Sequence, residues 1–251
     1  MNINWNAKGY ADHFQFVPRY GNALLELLDI SEGMRCLDLG CGNGALTGKL
    51  ADQRLLVTGL DDSSEMLEIA KKNYPGLAFV KGSAVDFALD EPQDIVFSNA
   101  VLHWIDPACQ PNMLACIFRA LKPGGQFVFE MGGKGCTANI HRAVRAEFES
   151  RGLSYSFPFF FPTIGEYAPM LEQAGFRVVY AVLFDRKTLL EGEDGMYDWI
   201  RMFLKKPFEG LDSEVSEEIV RAAVNALRPL LCENGTWYAD YVRLRMKAVK
   251  R

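Results

Sequence analysis

A chain of 251 residues, 49% hydrophobic and 24% charged, is long enough to bury a substantial core. Its 11 prolines and 22 glycines are near average usage, which excludes collagen-like and low-complexity disordered chains. A formal net charge of -5 argues against a nucleic-acid binder, whose phosphate contacts need a basic surface, and no apolar run reaches the length of a membrane span.

Through the first half, short apolar runs alternate with helical periodicity, the signature of a parallel α/β sheet. Met34–Leu39 reads as the first strand, ending in a glycine cluster at 40–44, with a helix from about Ala45 to Gln53. Leu55–Leu60 is a second strand, after which Ser63 and Ser64 cap a helix running through about Asn73. Leu77–Lys81 and Asp94–Ser98 are the third and fourth strands. A helix around Gln110–Leu121 leads into the fifth, Gln126–Met131. Past residue 132 the rhythm changes. A helix at His141–Arg151 precedes the aromatic stretch Phe157–Pro162, and Thr163 caps a helix at Ile164–Ala174. Phe176–Phe184 is a sixth strand, and helices at Gly195–Phe203 and Ser213–Leu231 precede a last strand, Trp237–Ala248, expected antiparallel to it.

Six cysteines form no CxxC pair, and three histidines leave no plausible zinc cluster. Reduced thiols in a cytoplasmic protein are the expectation, and the N-terminus has no signal-peptide pattern.

The sharpest motif is Leu37-Asp38-Leu39-Gly40-Cys41-Gly42-Asn43-Gly44. Glycines at a strand end permit a tight turn and close approach of backbone to a ligand. Gly40, Gly42 and Ala45 also satisfy the dinucleotide template G-x-G-x-x-G/A, so the loop alone does not choose a ligand. Asp38 is poorly placed beside an anionic pyrophosphate and well placed for the cationic amine and sulfonium of S-adenosylmethionine. Its alternative role is to tie the loop's own amides. Asp61 closes the second strand, where an acid accepts both hydroxyls of a ribose. Asp62 is a solvated helix-entry acid or a second nucleoside contact, and Met66 and Leu67 either cover an adenine or belong to the core.

These residues, with Gly59-Leu60-Asp61, Gly82-Ser83-Ala84, Asp94–Asn99 and Leu121–Gly125, occur in the order and spacing of class I S-adenosylmethionine-dependent methyltransferases, and the chain resembles that family over roughly 34–131. Asn99-Ala100-Val101-Leu102-His103-Trp104 is more particularly similar to the trans-aconitate and malonyl-carrier methyltransferase group. The resemblance implies a Rossmann-like α/β fold: a seven-stranded, mostly parallel sheet with an antiparallel last strand, and helical additions at the N-terminus and between strands five and seven. It implies one domain, with a helical cap at 1–33, a cofactor-binding core at 34–131, substrate-side additions at 132–236 and the last strand at 237–251. S-adenosylmethionine is the implied cofactor, contacted by Asp38, Gly40, Cys41, Gly42, Asp61, Asp62, Met66, Ser83, Ala84 and Asn99. Many relatives carry an acid at the position of Ser83, where this chain has only a hydroxyl.

Methyl transfer is an in-line displacement that needs alignment and exclusion of water. A carboxylate acceptor is already ionised at neutral pH, whereas a hydroxyl benefits from a base. His103 is the candidate base or a packing residue, Trp104 lines the transfer pocket with it by resemblance, and Tyr10 belongs to a segment that folds over the cofactor in similar enzymes. Arg19, Arg142, Arg145 and Arg201 are candidates to grip an anionic acceptor, and Phe157–Phe161 is an acceptor wall, core packing or a mobile lid. The expectation is methylation of a small-molecule oxygen, a carboxylate first, with no nucleic-acid or membrane partner and no metal. A hydroxyl or amine acceptor, an NAD(P)-dependent oxidoreductase and a catalytically silent binding module are the alternatives.

Overall fold

Arg35–Leu39, Leu56–Asp61, Ala78–Lys81, Gln93–Asn99 and Leu121–Gly132 form β1 to β5 of one sheet in the computed structural model, which describes residues 22–251. Phe176–Leu190, Cys232–Glu233 and Thr236–Lys250 are β6, β7 and β8. The spatial order is β3-β2-β1-β4-β5-β8-β6, with the short β7 paired to β8 off that path. β1 to β5 are mutually parallel, and β8 runs antiparallel to both β5 and β6. The expected mostly parallel sheet with an antiparallel last strand is therefore present.

Both faces of the central strands are covered, so β1, β4 and the second half of β5 are buried along nearly their whole length. The helices Gln110–Ala120 and Ile164–Gln173 bury Met113, Ile117, Tyr167 and Leu171 against one face. The helix Ala45–Asp52 and the segment around Leu24 and Leu28 cover the other, against Ile95, Phe97 and Val128. A separate apolar cluster joins the helices Ala138–Ser150, Gly195–Phe203 and Ser213–Leu231 around Trp199 and Trp237. The caps expected from sequence are made: Ser63 accepts from the Met66 amide, and Thr163 forms a reciprocal capping box with Glu166.

Three strands differ from the sequence expectation, β5 by starting at Leu121, where it already pairs with Gln93 of β4. β6 continues to Leu190 instead of stopping at Phe184, because its charged stretch Asp185-Arg186-Lys187 still pairs with Val242, Tyr241 and Asp240 of β8. β7 is a hairpin partner of β8 through Asn234 and Gly235, both at positive φ, the conformation that an Asn-Gly turn favours. The six cysteines are all free, and no helix among the described residues is long and apolar enough to cross a membrane.

From β1 the chain winds outward to β2 and β3 on one side, then returns to β4 and β5 on the other. Open α/β sheets bind ligands at such a reversal, outside the carboxyl ends of the strands. Here that crevice lies between the glycine loop after β1 and the turn after β4.

Candidate active site

The glycine loop is held by its neighbours before any ligand arrives. The Gly40 and Cys41 amides both donate to the Leu60 carbonyl at 2.7 and 3.1 Å, and the Gly42 amide donates to Asp61 Oδ2 at 2.9 Å. Asp61 Oδ1 accepts from the Ser63 amide at 2.9 Å. Asp61 is thus the residue that ties the loop, a role the sequence assigned as an alternative to Asp38. Burial still raises its pKa, against the pull of those two amides.

Gly40 and Gly42 both need positive φ, +76° and +54°, yet for different reasons of space. A Cβ on Gly40 would meet Val101 Cγ2 at 2.3 Å, so the two sides of the crevice approach each other there, whereas a Cβ on Gly42 meets nothing within 4 Å. Gly40→Ala is expected to destabilise by about 2–5 kcal/mol from left-handed strain and overpacking, and Gly42→Ala by only about 1–2 kcal/mol. Gly42→Val would extend into the open side and abolish cofactor binding. Thermal unfolding and calorimetric titration measure the two losses separately.

Asp38 is 2% exposed, and its Oδ2 accepts from Thr47 Oγ1 at 2.7 Å. Burial pushes its pKa up to about 7, Thr47 counteracts this in part, and the nearby Asp61 charge adds to it. Cys41 turns its side chain away from the crevice into an apolar cluster with Leu67, Ala70 and Phe79, so only its backbone borders the loop. Met66 is buried, Asp62 half-buried. The Ser83 hydroxyl accepts weakly from the Val85 amide at 3.4 Å, within the turn that also holds Ala84.

Across the crevice β4 ends at Asn99, and Ala100 adopts a left-handed φ of 61° while its amide donates to the Glu130 carbonyl at 2.7 Å. The turn Leu102–Trp104 follows. Gln110 holds that turn from below: its amide nitrogen donates to the Leu102 and Ile105 carbonyls, and its oxygen accepts from the Tyr167 hydroxyl. His103 is buried, and its Nδ1 accepts from the Gly132 amide at 3.3 Å. Burial, with the positive charge of Arg243 nearby, holds its pKa well below 6.5.

A cavity opens beside it, lined by Ala100, His103, Trp104, Phe159, Phe161 and Arg243 among others. The aromatic stretch crosses the His103 turn, pinned by the Phe160 amide donating to the His103 carbonyl at 2.9 Å. Alternation then sends Phe159 and Phe161 to the cavity and Phe160 to the main core. Core packing, one of the sequence alternatives for this stretch, holds for Phe160.

The structure departs from the expected arginines. Arg142, Arg145 and Arg201 are exposed on the helices Ala138–Ser150 and Gly195–Phe203 and do not line the cavity. They lie on the solvent faces of those helices because the opposite faces pack the Trp199 cluster. Arg19 and Tyr10 lie outside the described residues. Arg243 of β8, which the sequence reading did not single out, is the arginine at the cavity among the described residues. The alternation of β8 signals it only weakly, since Arg243 and Arg245 share a face.

Residues 36–125 match the methyltransferase domain family. The chain is 32% identical to an uncharacterized methyltransferase of Schizosaccharomyces pombe, over 98% of both chains. It is 28% identical to the trans-aconitate 2-methyltransferase of Methylobacterium nodulans, over 86% of both chains. An S-adenosylmethionine-dependent methyltransferase structure from Corynebacterium glutamicum superposes with a TM-score of 0.55 at 19% identity, covering 98% of each chain. The residues present fit that cofactor. A buried carboxyl held up to about 7 with no described cation beside it suits a cationic amine and sulfonium, and the open cradle at Gly42 lies next to the Asp61 acceptor. The chain belongs to the class I S-adenosylmethionine-dependent methyltransferases.

Proposed function

We propose that the enzyme methylates a carboxylate oxygen of a small-molecule acid. The observation that carries this reading is the hydrogen-bonding state of His103. An amide N–H can only donate, so the Gly132 amide occupies the Nδ1 lone pair and the ring proton sits on Nε2. A ring in that state donates a hydrogen bond from Nε2 and has no lone pair left to take a proton. A hydroxyl acceptor would arrive without a base, whereas a carboxylate needs none. The name of the Methylobacterium nodulans relative, a trans-aconitate methyltransferase, also points to an acid.

When bound, S-adenosylmethionine supplies the methyl group: the carboxylate oxygen gains the carbon, the carbon–sulfur bond breaks with its electron pair on sulfur, and no proton is transferred. The chain's own residues do the rest. Asp38 balances the cationic end of the cofactor, Asp61 accepts from its ribose, and Asn99 borders the junction with the acceptor. His103 donates to the acceptor and, with Trp104, Phe159 and Phe161, keeps water away.

A panel of carboxylic acids, phenols and amines tests the reading. Acids are expected to yield esters, with a pH–rate profile lacking a limb near 6.5, since His103 is neutral throughout. His103→Gln keeps an oxygen to accept and an amide to donate, and is expected to retain activity within about tenfold. A fall of about 10²–10⁴ in that variant, with loss of a basic limb, would identify His103 as a base and overturn the reading.

A further inference from the structure

We propose that the acceptor is an aromatic monocarboxylic acid, its carboxylate held by Arg243 and its ring packed against the aromatic wall of the cavity. This rests on the carboxylate reading above and names the class of acid.

The first observation is a buried arginine held only loosely by its anionic neighbour. Glu130 lies on β5 opposite Arg245 of β8, buried to 2% exposure. It receives Arg186 in a bidentate pair at 2.6 and 2.8 Å and two further hydrogen bonds from Arg245 at 2.9 and 2.7 Å. Three of these bonds fall on Oε2 and one on Oε1, and none comes from Arg243. Arg243, two residues before Arg245 on the same face, is left with its Nε 3.8 Å from Glu130 Oε1, an ion pair too long for a hydrogen bond. It is only 7% exposed, and it lines the cavity. A buried guanidinium beyond hydrogen-bond distance of a carboxylate that two other arginines already share can take a further anion, and its planar fork matches a carboxylate.

The second observation is the rest of the lining. Trp104 and Phe159 meet edge to face at 4.7 Å, Phe159 and Phe161 stack at 5.0 Å, and Trp199 and Phe203 lie 5.2 Å apart. Tyr241 packs beneath the Arg243 guanidinium, and its hydroxyl accepts from Trp199 Nε1 at 2.7 Å, so the polar ends of both rings face each other. With His103 neutral, Arg243 is the single cation among the described lining residues. One positive charge among aromatic faces recognises one carboxylate on a flat apolar body. A tricarboxylate would bury two further charges against those rings.

Phenylacetate, cinnamate, trans-aconitate and 2-phenylethanol are assayed as acceptors with saturating S-adenosylmethionine. Phenylacetate binding to the protein loaded with the demethylated cofactor is measured by calorimetry. The aromatic acids are expected to exceed trans-aconitate at least tenfold in kcat/KM. Arg243→Gln is expected to raise their KM, and the phenylacetate Kd, by about 10–150-fold with cofactor affinity unchanged. Arg243→Lys keeps a charge without the fork and is expected to recover part of that loss; it also serves if the glutamine variant fails to fold. Trans-aconitate as the better acceptor would overturn the aromatic class and leave the carboxylate reading standing. An unchanged KM and Kd in both Arg243 variants, or no phenylacetate binding to the wild type, would overturn the assignment of Arg243. Methylation of 2-phenylethanol with no acid turned over would remove the carboxylate reading itself.

Discussion

Asp61→Ala is expected to lose cofactor affinity and fold stability together, about 10–150-fold in Kd and about 1–3 kcal/mol in unfolding free energy. A carboxylate that only faced a ligand would lose the first without the second. Here both oxygens are engaged by the chain itself, Oδ2 by the Gly42 amide and Oδ1 by the Ser63 amide. Truncation therefore frees the glycine loop on one side and the start of the helix Ser64–Asn73 on the other. Asp61→Asn does not rescue it, because one of its two terminal atoms becomes a donor aimed at an amide N–H. Thermal melting without cofactor isolates the structural part, and titration at a temperature where the variant is folded isolates the binding part. An unchanged melting temperature would reduce Asp61 to a ribose contact.

The parallel half of the sheet was legible because its signals are local. Apolar runs, glycine and proline breaks and capping serines fix β1 to β4 and their helices within a few residues. The crevice followed from the same glycines. What escaped depends on pairing across long stretches of chain. β6 reads as ending at Phe184 until β8 supplies partners for Asp185, Arg186 and Lys187. Arg142 and Arg201 looked as eligible as any arginine, because exposure is set by which helix face packs, and their helices turn Val144, Trp199 and Ile200 inward. Arg243 is distinguished from Arg186 and Arg245 by Glu130, more than a hundred residues earlier, and by which two guanidinium groups come within hydrogen-bond distance of its oxygens. The proton position on His103 likewise depends on the Gly132 amide, which no motif announces.

Asp38→Asn is expected to strengthen the empty protein and weaken its grip on the cofactor, with both effects vanishing in acid. The carboxyl is buried with Thr47 the only donor to it among the described residues, and its pKa stands near 7 instead of 3.8. A folded state that holds this proton more tightly than the unfolded chain has its Asp38 contribution to stability in full below about pH 4. That contribution is lost as the pH rises to about 7. Asparagine keeps an oxygen for the Thr47 hydroxyl and carries no charge to bury, so at pH 8 the variant is expected to be more stable by roughly 1–4 kcal/mol. Binding has the opposite sign. A cationic amine and sulfonium favour the ionised carboxylate, so wild-type affinity climbs by up to tenfold per pH unit until about pH 7 and then levels off, with a proton released on binding below that point. The variant, lacking the charge, is expected to bind about 10–150-fold more weakly at pH 8 and to lose that slope. Calorimetry in buffers of different ionisation enthalpy reads the proton directly. Equal affinity and an equal pH slope in the two proteins would mean that Asp38 stays protonated when the cofactor is bound, leaving it a packing group beneath the loop.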